Sequence, residues 1–138
     1  MNVKLKRGEL AKKCGIHIAT LRYYEKCRLL NPPPRSKAGY RLYSEKDITK
    51  IHFIKNAQKL GFSLKEISEL IKLRIREGKT CDPVLKKTQN KLGAVEQKIK
   101  NLKSMRKVLK ELINKCNKDA PTSECPILDS FDSENESQ

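Results

Sequence analysis

The sequence predicts a mainly α-helical protein, and three observations lead to that prediction. First, apolar residues recur at spacings of three and four along most of the 138-residue chain, as they do on one face of a helix. Second, Ser44 with Asp47 and Ser63 with Glu66 each place a hydroxyl three residues before a carboxylate, which marks a helix start. Third, glycines and prolines stand between these segments and end them. The length allows one ordinary domain, or two small ones that share a long element.

Charge is spread unevenly along the chain, whose formal net charge is +15. Residues 1–80 contain 20 Lys and Arg against 7 Asp and Glu, a net charge of +13, whereas residues 81–138 contain 11 against 9, a net charge of +2. A strongly basic first half suits a polyanion, and nucleic acid is the first candidate. A basic solvated face with no partner is the alternative.

The segment RGELAKKCGIHIATLRYYEKC predicts a helix-turn-helix, with two short helices around a tight turn at Gly15. The apolar faces of the two helices consist of Leu10, Ala11, Cys14, Ile18, Leu21 and Tyr24. The second helix also carries side chains that can reach phosphates and base edges. These are Thr20, Arg22, Tyr23 and Lys26.

The next segment, LLNPPPRSKAGYRLYS, predicts a wing, that is, a β-hairpin beside the two helices. Three successive prolines end the second helix, and Lys37-Ala38-Gly39 is typical of a hairpin turn. The alternating residues that follow favour an extended strand. A β-ribbon carrying Arg35, Lys37 and Arg41 could lie along a phosphate backbone, although a solvated loop also fits the pattern.

Two further helices follow the wing. The first begins near Ser44 and ends at Gly61, and the second covers about residues 64–76. Both have apolar residues on one face, so that the four helices together can close a small core.

Asp82-Pro83 predicts the start of a long helix that ends near Cys116. Its apolar positions alternate at spacings of three and four with one polar interruption, which is the pattern of a coiled coil. A lone helix of this kind is unstable in water, so the pattern predicts pairing with a second copy of the chain. The positions are Leu85, Thr88, Leu92, Val95, Ile99, Leu102, Arg106, Leu109, Ile113 and Cys116.

Cys81 and Cys116 lie 35 positions apart, which places their sulfurs roughly 50 Å apart if the intervening chain is one helix. They cannot share a ligand within one chain. An antiparallel dimer brings the start of one long helix beside the end of the other. Cys81 of one subunit then meets Cys116 and Cys125 of its neighbour, and the dimer has two equivalent sites.

Three thiolates form a soft metal site. Zinc usually takes four ligands, and in this loop only Asp119, Glu124 or water could complete the set. Mercury(II) or lead(II) therefore fits three sulfurs better, and buried or incidental cysteines are the alternative. The other two cysteines, Cys14 and Cys27, are interpreted as packing residues.

The sequence favours a binding protein over an enzyme. It contains no Gly-rich phosphate loop, no paired carboxylates and no nucleophile with a base, and it therefore predicts no organic cofactor. No apolar run approaches the ~20 residues of a membrane helix, and the first residues lack a signal peptide. We therefore expect a cytoplasmic protein without a membrane partner.

The chain resembles the MerR family of transcriptional regulators from about residue 4 to residue 131. The segments that carry the resemblance are GELAKKCG, TLRYYE, PPPRSKAGYRLYS, IHFIKNAQKLGFSLKEI and CPIL, together with Cys81 and Cys116. Within the family, three cysteines at this spacing, with Pro126-Ile127 after the last, are most similar to the mercury(II)-responsive branch. A lead(II)- or cadmium(II)-responsive regulator is the alternative, and a DNA-bending architectural protein with structural cysteines is the alternative from another class.

The resemblance implies a mechanism and assigns roles to residues. It implies a homodimer that binds double-stranded promoter DNA and, on binding its inducer, distorts that DNA so that RNA polymerase can start transcription. By position, Arg22, Tyr23 and Tyr24 would contact the major groove and phosphates, and Tyr40 and Arg41 would serve the wing. The metal ligands would be Cys81, Cys116 and Cys125.

The predicted organisation has four parts. Residues 1–76 form the winged helix-turn-helix domain, 77–116 the linker and the antiparallel coiled-coil dimerisation helix, 117–131 the metal-binding loop with a short terminal helix, and 132–138 a disordered acidic tail. Two residues depart from the family pattern. Arg28 stands where a glycine is frequent, at the left-handed exit of the second helix, and His17 replaces a more usual capping residue.

Overall fold

The computed structural model describes residues 4–78, 80–116 and 118–133. Its helices are α1 (Arg7–Cys14), α2 (Ile18–Lys26), α3 (Glu45–Lys59), α4 (Leu64–Ile75), α5 (Asp82–Lys115) and α6 (Pro126–Phe131), with a short 3-10 helix at Thr122–Glu124. The prediction of a mainly α-helical fold is confirmed. Residues 134–138 of the predicted acidic tail lie outside the described part of the chain.

The turn between α1 and α2 depends on Gly15, whose φ of 67° is in the left-handed region that favours glycine. The backbone N–H of Ile16 donates to the carbonyl of Ala11 at 3.0 Å and closes the turn. Lys55 of α3 donates to the carbonyl of Cys14 at 2.6 Å, which places a positive charge at the negative end of α1. The predicted helix-turn-helix is confirmed.

The wing is a minimal hairpin rather than a pair of regular strands. Arg35 and Arg41 form an isolated antiparallel bridge, and Leu5 pairs with Tyr43 in the same way. The tip is closed by the backbone N–H of Gly39, which donates to the carbonyl of Ser36 at 2.9 Å. Gly39 has a φ of 87°, so the predicted turn residue is the one that takes the left-handed conformation.

The two predicted capping pairs begin α3 and α4. The backbone N–H of Ser44 donates to Asp47 Oδ2 at 2.8 Å. At α4 the exchange is reciprocal: the N–H of Ser63 donates to Glu66 Oε1 at 2.8 Å, and the N–H of Glu66 donates to Ser63 Oγ at 3.1 Å. These bonds satisfy helix N–H groups that have no intrahelical partner, and they fix both helix starts where the sequence predicts them.

The chain forms two compact units, the first ending at Thr88 and the second beginning at Gln89. The first unit encloses a core to which all of α1 to α4 contribute, together with residues that flank α2 and α3. The partly buried Phe53 and Phe62 pack against this core. The core residues are Leu10, Cys14, Leu21, Tyr24, Leu29, Leu30, Tyr43, Ile51, Ile54 and Ile67.

The second unit contains most of α5, the 3-10 helix and α6. Of the residues described from Gln89 onward, Leu112 alone is buried. The coiled-coil positions predicted on α5 are exposed in the single chain, with 57% of Leu92, 61% of Leu102 and 67% of Ile113 accessible. In the described part of the chain, no helix has the length and apolar character needed to cross a membrane.

Candidate nucleic-acid interface and metal ligands

Helix α2 presents its predicted DNA-reading side chains on its outer side. Arg22 and Lys26 are exposed, Thr20 is half-buried, and 53% of Tyr23 is accessible. A hydrogen bond with the Cys27 side chain raises the pKa of Tyr23. Cys27 is exposed at the end of α2, and its interpretation as a packing residue is wrong.

Tyr24 is a core residue, and its burial argues against the predicted contact with DNA. Only 3% of Tyr24 is exposed, and its hydroxyl donates to Gln58 Oε1 of α3 at 2.8 Å. Burial raises the pKa of Tyr24. The apolar spacing of α2 already placed Tyr24 on the core face, whereas the family resemblance placed it on the DNA. Its side chain links α2 to α3 and is almost entirely covered by the core.

The two wing arginines brace the wing that carries them. Arg35 Nη1 donates to the carbonyl of Gly39 at 3.1 Å, and Arg41 Nη1 donates to the carbonyl of Pro33 at 2.6 Å. A guanidinium has five N–H donors, so each arginine retains donors for a phosphate after making its bond to the wing. Tyr40 lies between them in sequence and is 48% exposed.

Lys6 is a part of this surface that the sequence analysis missed. Its Nζ lies 4.0 Å from the centroid of the Tyr40 ring, which is a cation–π contact between the start of α1 and the wing. Lys6 also lines a recess of about 250 Å³ with cationic neighbours and without a carboxylate. The run of cations in KLKRGEL was the available signal. The lining residues are Lys6, Arg7, Gly8, Arg35, Tyr40 and Arg41.

A second missed feature is a network of three side chains behind that surface. Arg7 Nη2 donates to Glu25 Oε1 at 3.0 Å, and the Tyr43 hydroxyl donates to Glu25 Oε2 at 2.8 Å and accepts from Arg7 Nε at 3.3 Å. The hydrogen bond with Tyr43 raises the pKa of Arg7 against the opposing effect of burial, and the charge of Glu25 adds to the rise. Burial, and then the bond to Glu25, raises the pKa of Tyr43. The network joins α1, the last turn of α2 and the base of the wing.

The three predicted metal ligands stand at the boundaries of α5 and α6. Cys81 is exposed and directly precedes α5, and its carbonyl accepts from the N–H of Leu85 at 2.9 Å in the first turn. Cys116 is exposed and directly follows α5. Cys125 is half-buried and directly precedes α6. Cys14, in contrast, is buried in the core, and burial raises the pKa of its thiol.

One copy of the chain does not gather these ligands. Within residues 4–78, 80–116 and 118–133, no group of three or more His, Cys, Asp or Glu side chains is close enough to hold a metal ion. The 34 residues of α5 separate Cys81 from Cys116 along the chain, and a helix of that length extends about 50 Å. The ligand set therefore stays a prediction that depends on a second copy.

A helix-turn-helix with a braced wing and a basic outer face defines a DNA-binding protein. Two family models match the chain: the MerR HTH family regulatory protein over residues 5–73 and the MerR DNA-binding model over residues 48–112. The chain belongs to the MerR family of transcriptional regulators, which is a family of DNA-binding proteins and not of enzymes.

Relatives and solved structures agree with this assignment. The chain is 38% identical over 129 residues to a mercuric resistance operon regulatory protein of Bacillus cereus, covering 94% of this chain and 98% of that one. It is similar to the regulator PbrR691 of Ralstonia metallidurans CH34, solved with lead(II), with a TM-score of 0.81 and 32% identity over 92% and 98% of the chains. For the regulator MerR of Bacillus megaterium MB1 with mercury(II), the TM-score is 0.70 and the identity 34%, over 94% and 100%.

Proposed function

We propose that this chain is a dimeric, mercury(II)-responsive activator that acts at a promoter in the cytoplasm. Each site takes Cys81 from one subunit and Cys116 and Cys125 from the other. Metal binding distorts the bound promoter, so that RNA polymerase can start transcription. The observation that carries the proposal is the exposed apolar side of α5 with an exposed cysteine at each end.

The apolar side of α5 favours a second copy of the chain as its partner. Val95, Ile99 and Leu109 expose 38%, 46% and 55% of their surfaces in the single chain, although each occupies a coiled-coil position. Most residues on the remaining sides of the helix are polar, with Met105 and Val108 as large, exposed apolar exceptions. The coiled-coil side is therefore the longest apolar stripe on α5. An antiparallel pair buries the apolar side and also places Cys81 near Cys116 and Cys125 of the partner subunit.

The chemistry of the ligands supports a thiophilic ion. Three thiolates without a built fourth ligand suit mercury(II) or lead(II) better than zinc, which usually takes four. Proteins similar to this chain include a mercuric resistance regulator and regulators solved with lead(II) and with mercury(II), so both ions have a precedent. The CPI sequence at Cys125 and the spacing of the three cysteines favour mercury, and lead(II) and cadmium(II) are the rivals.

The DNA interface in this proposal consists of the outer side of α2 and the wing. Side chains on α2 enter the major groove, whereas the wing and the recess beside Lys6 hold phosphates. Tyr24 is left out because it is buried. The proposed contact residues are Thr20, Arg22, Tyr23, Lys26, Lys6, Arg35, Tyr40 and Arg41.

A metal titration of the reduced protein tests which ion binds. Mercury, lead, cadmium and zinc salts are added separately, and thiolate charge-transfer absorption and stoichiometry are measured together with alkylation of each cysteine by mass spectrometry. We expect mercury to bind most tightly and to protect Cys81, Cys116 and Cys125. Cys27 is also exposed and provides the internal control, because it should stay reactive. Equal protection of Cys27 would contradict the proposed ligand set.

Mixed dimers test whether the site lies between subunits. One protomer carries Cys81→Ser and the other carries both Cys116→Ser and Cys125→Ser, so neither homodimer has a complete site. Their heterodimer has one intact site and should bind one mercury(II) tightly, and Cys27→Ser should leave both wild-type sites intact. Tight binding by a monomer through all three thiols would exclude the proposal. Unchanged promoter output in Cys125→Ser, with and without metal, would favour the architectural alternative.

A further inference from the structure

An ion pair links the start of α5 to α4. Lys87 Nζ lies 2.6 Å from Glu69 Oε2, and about two fifths of each side chain is exposed. Lys87 is in the second turn of α5, and Cys81 directly precedes the first turn. The hydrogen bond from Lys87, and then its charge, lowers the pKa of Glu69.

Glu69 also stands between α5 and the end of the DNA-reading helix. It lines a recess of about 500 Å³ on the α5 side together with Lys87. It lines a second recess, of about 530 Å³, together with Tyr23 and Cys27 at the end of α2. Lys72, one turn further along α4, lines both recesses. This face of α4 therefore lies between the start of α5 and the exposed end of α2.

The helix that carries Glu69 is fixed to the core of the first unit. Ile67 is fully buried and only 8% of Leu70 is exposed, so α4 is anchored on both sides of Glu69. Protein cores are close-packed and transmit displacement. A displacement of Lys87 is therefore transmitted through Glu69 and α4 to the core of the first unit, against which α2 also packs.

We propose that the Glu69–Lys87 pair positions the start of α5 on α4 and thereby couples metal binding at Cys81 to the DNA-reading helix, an inference that rests on the proposed function. Glu69 and Lys87 are positioning residues: they contact neither the metal nor the DNA. Exposed ion pairs contribute little to folding. The effect of this pair is therefore expected in the response to metal rather than in stability.

Charge reversal tests the coupling. We compare Lys87→Glu, Glu69→Lys and the double variant with the two charges exchanged, at promoter DNA saturated with protein. The output is the ratio of transcription with mercury(II) to transcription without it. We expect each single variant to lower this ratio at least threefold and the exchanged pair to restore it. Mercury stoichiometry and circular dichroism should stay as in the wild type in all variants.

The neighbouring residue provides a matched control. Lys86 is paired with Asp82 at 3.3 Å within α5 itself, and both side chains are more exposed than those of the Glu69–Lys87 pair. Lys86→Glu makes the same change of charge one position away but breaks no link between helices. Its induction ratio should equal that of the wild type.

The outcomes separate this inference from the proposed function. If wild-type protein activates with mercury and the single variants activate equally well, the coupling role of the pair is wrong and the proposed function stands. The same conclusion follows if the exchanged pair fails to restore induction, or if Lys86→Glu lowers it as much as Lys87→Glu. If wild-type protein does not respond to mercury, both proposals are overturned.

Discussion

The two units of this chain differ in how much of their apolar surface they bury within one copy. The first, which ends at Thr88, closes its own core with large side chains such as Leu10, Ile51 and Ile54 at 0% exposure. The second unit leaves an apolar side of α5 in solvent, and among its described residues Leu112 alone is buried. The first unit therefore buries its apolar surface within a single copy, whereas the apolar side of α5 would be covered only in the proposed dimer.

The largest expected effect comes from making the apolar side of α5 polar. Replacing both Leu92 and Leu102 with Glu removes two leucines from each subunit's side of the pairing surface, and each buried leucine is worth about 1.5–3 kcal/mol. We expect the variant to sediment as a monomer and to lose much of the helical signal of α5. Metal binding through three thiols should be lost with the dimer.

The control for this variant adds the same charge off the apolar side. Asn90→Glu with Gln97→Glu introduces two carboxylates at exposed positions outside the coiled-coil pattern. It should remain dimeric at the same protein concentration. A dimeric Leu92/Leu102 variant would show that another surface holds the subunits together, and the contrast between the two units would then disappear.

A cavity in the first unit should affect that unit alone. Ile51→Ala removes a fully buried side chain of α3, and changes of this type cost about 2–5 kcal/mol. Urea denaturation followed by circular dichroism should show an early transition from the first unit, while α5 stays helical and paired. Lys50→Ala, at the exposed neighbouring position, should leave the transition unchanged. Loss of dimer in Ile51→Ala would mean that the units do not fold independently.

The sequence predicted those features that depend on neighbours in the chain. The capping pairs at Ser44 and Ser63, the turns at Gly15 and Gly39 and the limits of α4 each follow from a few adjacent residues, and all are confirmed. Local signals of this type do not depend on distant contacts, and here the tertiary packing agrees with them.

The missed features join residues that lie far apart in the chain. The pairs Arg7–Glu25 and Lys6–Tyr40 bring together residues 18 and 34 positions apart, and no helical or strand period relates them. Tyr24 shows a different difficulty, because its helix position suits either the core or the DNA, and the core holds it. The three cysteines do not converge within the described part of one chain, and their proposed convergence depends on a second copy.

The recess beside the wing gives a smaller effect, on DNA affinity. Lys6→Ala removes one cation and its contact with Tyr40, and we expect promoter binding to weaken by about 1 kcal/mol. Each phosphate contact adds about 0.9 to the slope of log affinity against log salt, so the slope should fall by roughly that amount. Fluorescence anisotropy over a salt series measures both quantities.

The control for Lys6 removes an exposed lysine elsewhere. Lys100→Ala lies on α5 in the second unit and should keep the wild-type slope. Equal slopes for Lys6→Ala and the wild type would remove Lys6 from the phosphate-binding surface. Arg41→Ala should weaken binding across DNA sequences more than it changes sequence preference, because in the proposed interface the wing contacts only the backbone.

Two adjacent tyrosines on α2, Tyr23 and Tyr24, allow the proposed DNA contact and the core contact to be tested separately. Tyr24→Phe loses the hydrogen bond to Gln58 and should lower the free energy of unfolding by about 1 kcal/mol, with promoter affinity unchanged. Tyr23→Phe loses an exposed hydroxyl and should lower promoter affinity with stability unchanged. Urea denaturation and anisotropy on both variants decide the assignment. A loss of affinity in Tyr24→Phe without a loss of stability would return Tyr24 to the interface.

The smallest expected effect is a gain in stability at the end of α2. Arg28 has a φ of 62°, in the left-handed region that costs a side chain about 1 kcal/mol. Two backbone hydrogen bonds hold Arg28 in this conformation. The N–H of Arg28 donates to the carbonyl of Glu25, and the N–H of Leu29 donates to the carbonyl of Tyr24, both at 3.0 Å. Arg28→Gly removes the strain but adds entropy to the unfolded chain, which leaves a gain of about 0.5 kcal/mol in the free energy of unfolding.

Arg28→Ala keeps the strain and is the control for Arg28→Gly. Equal stability of these two variants in urea would show that the turn is relaxed with a side chain present, and that the buried Leu29 and Leu30 alone define the path into the wing.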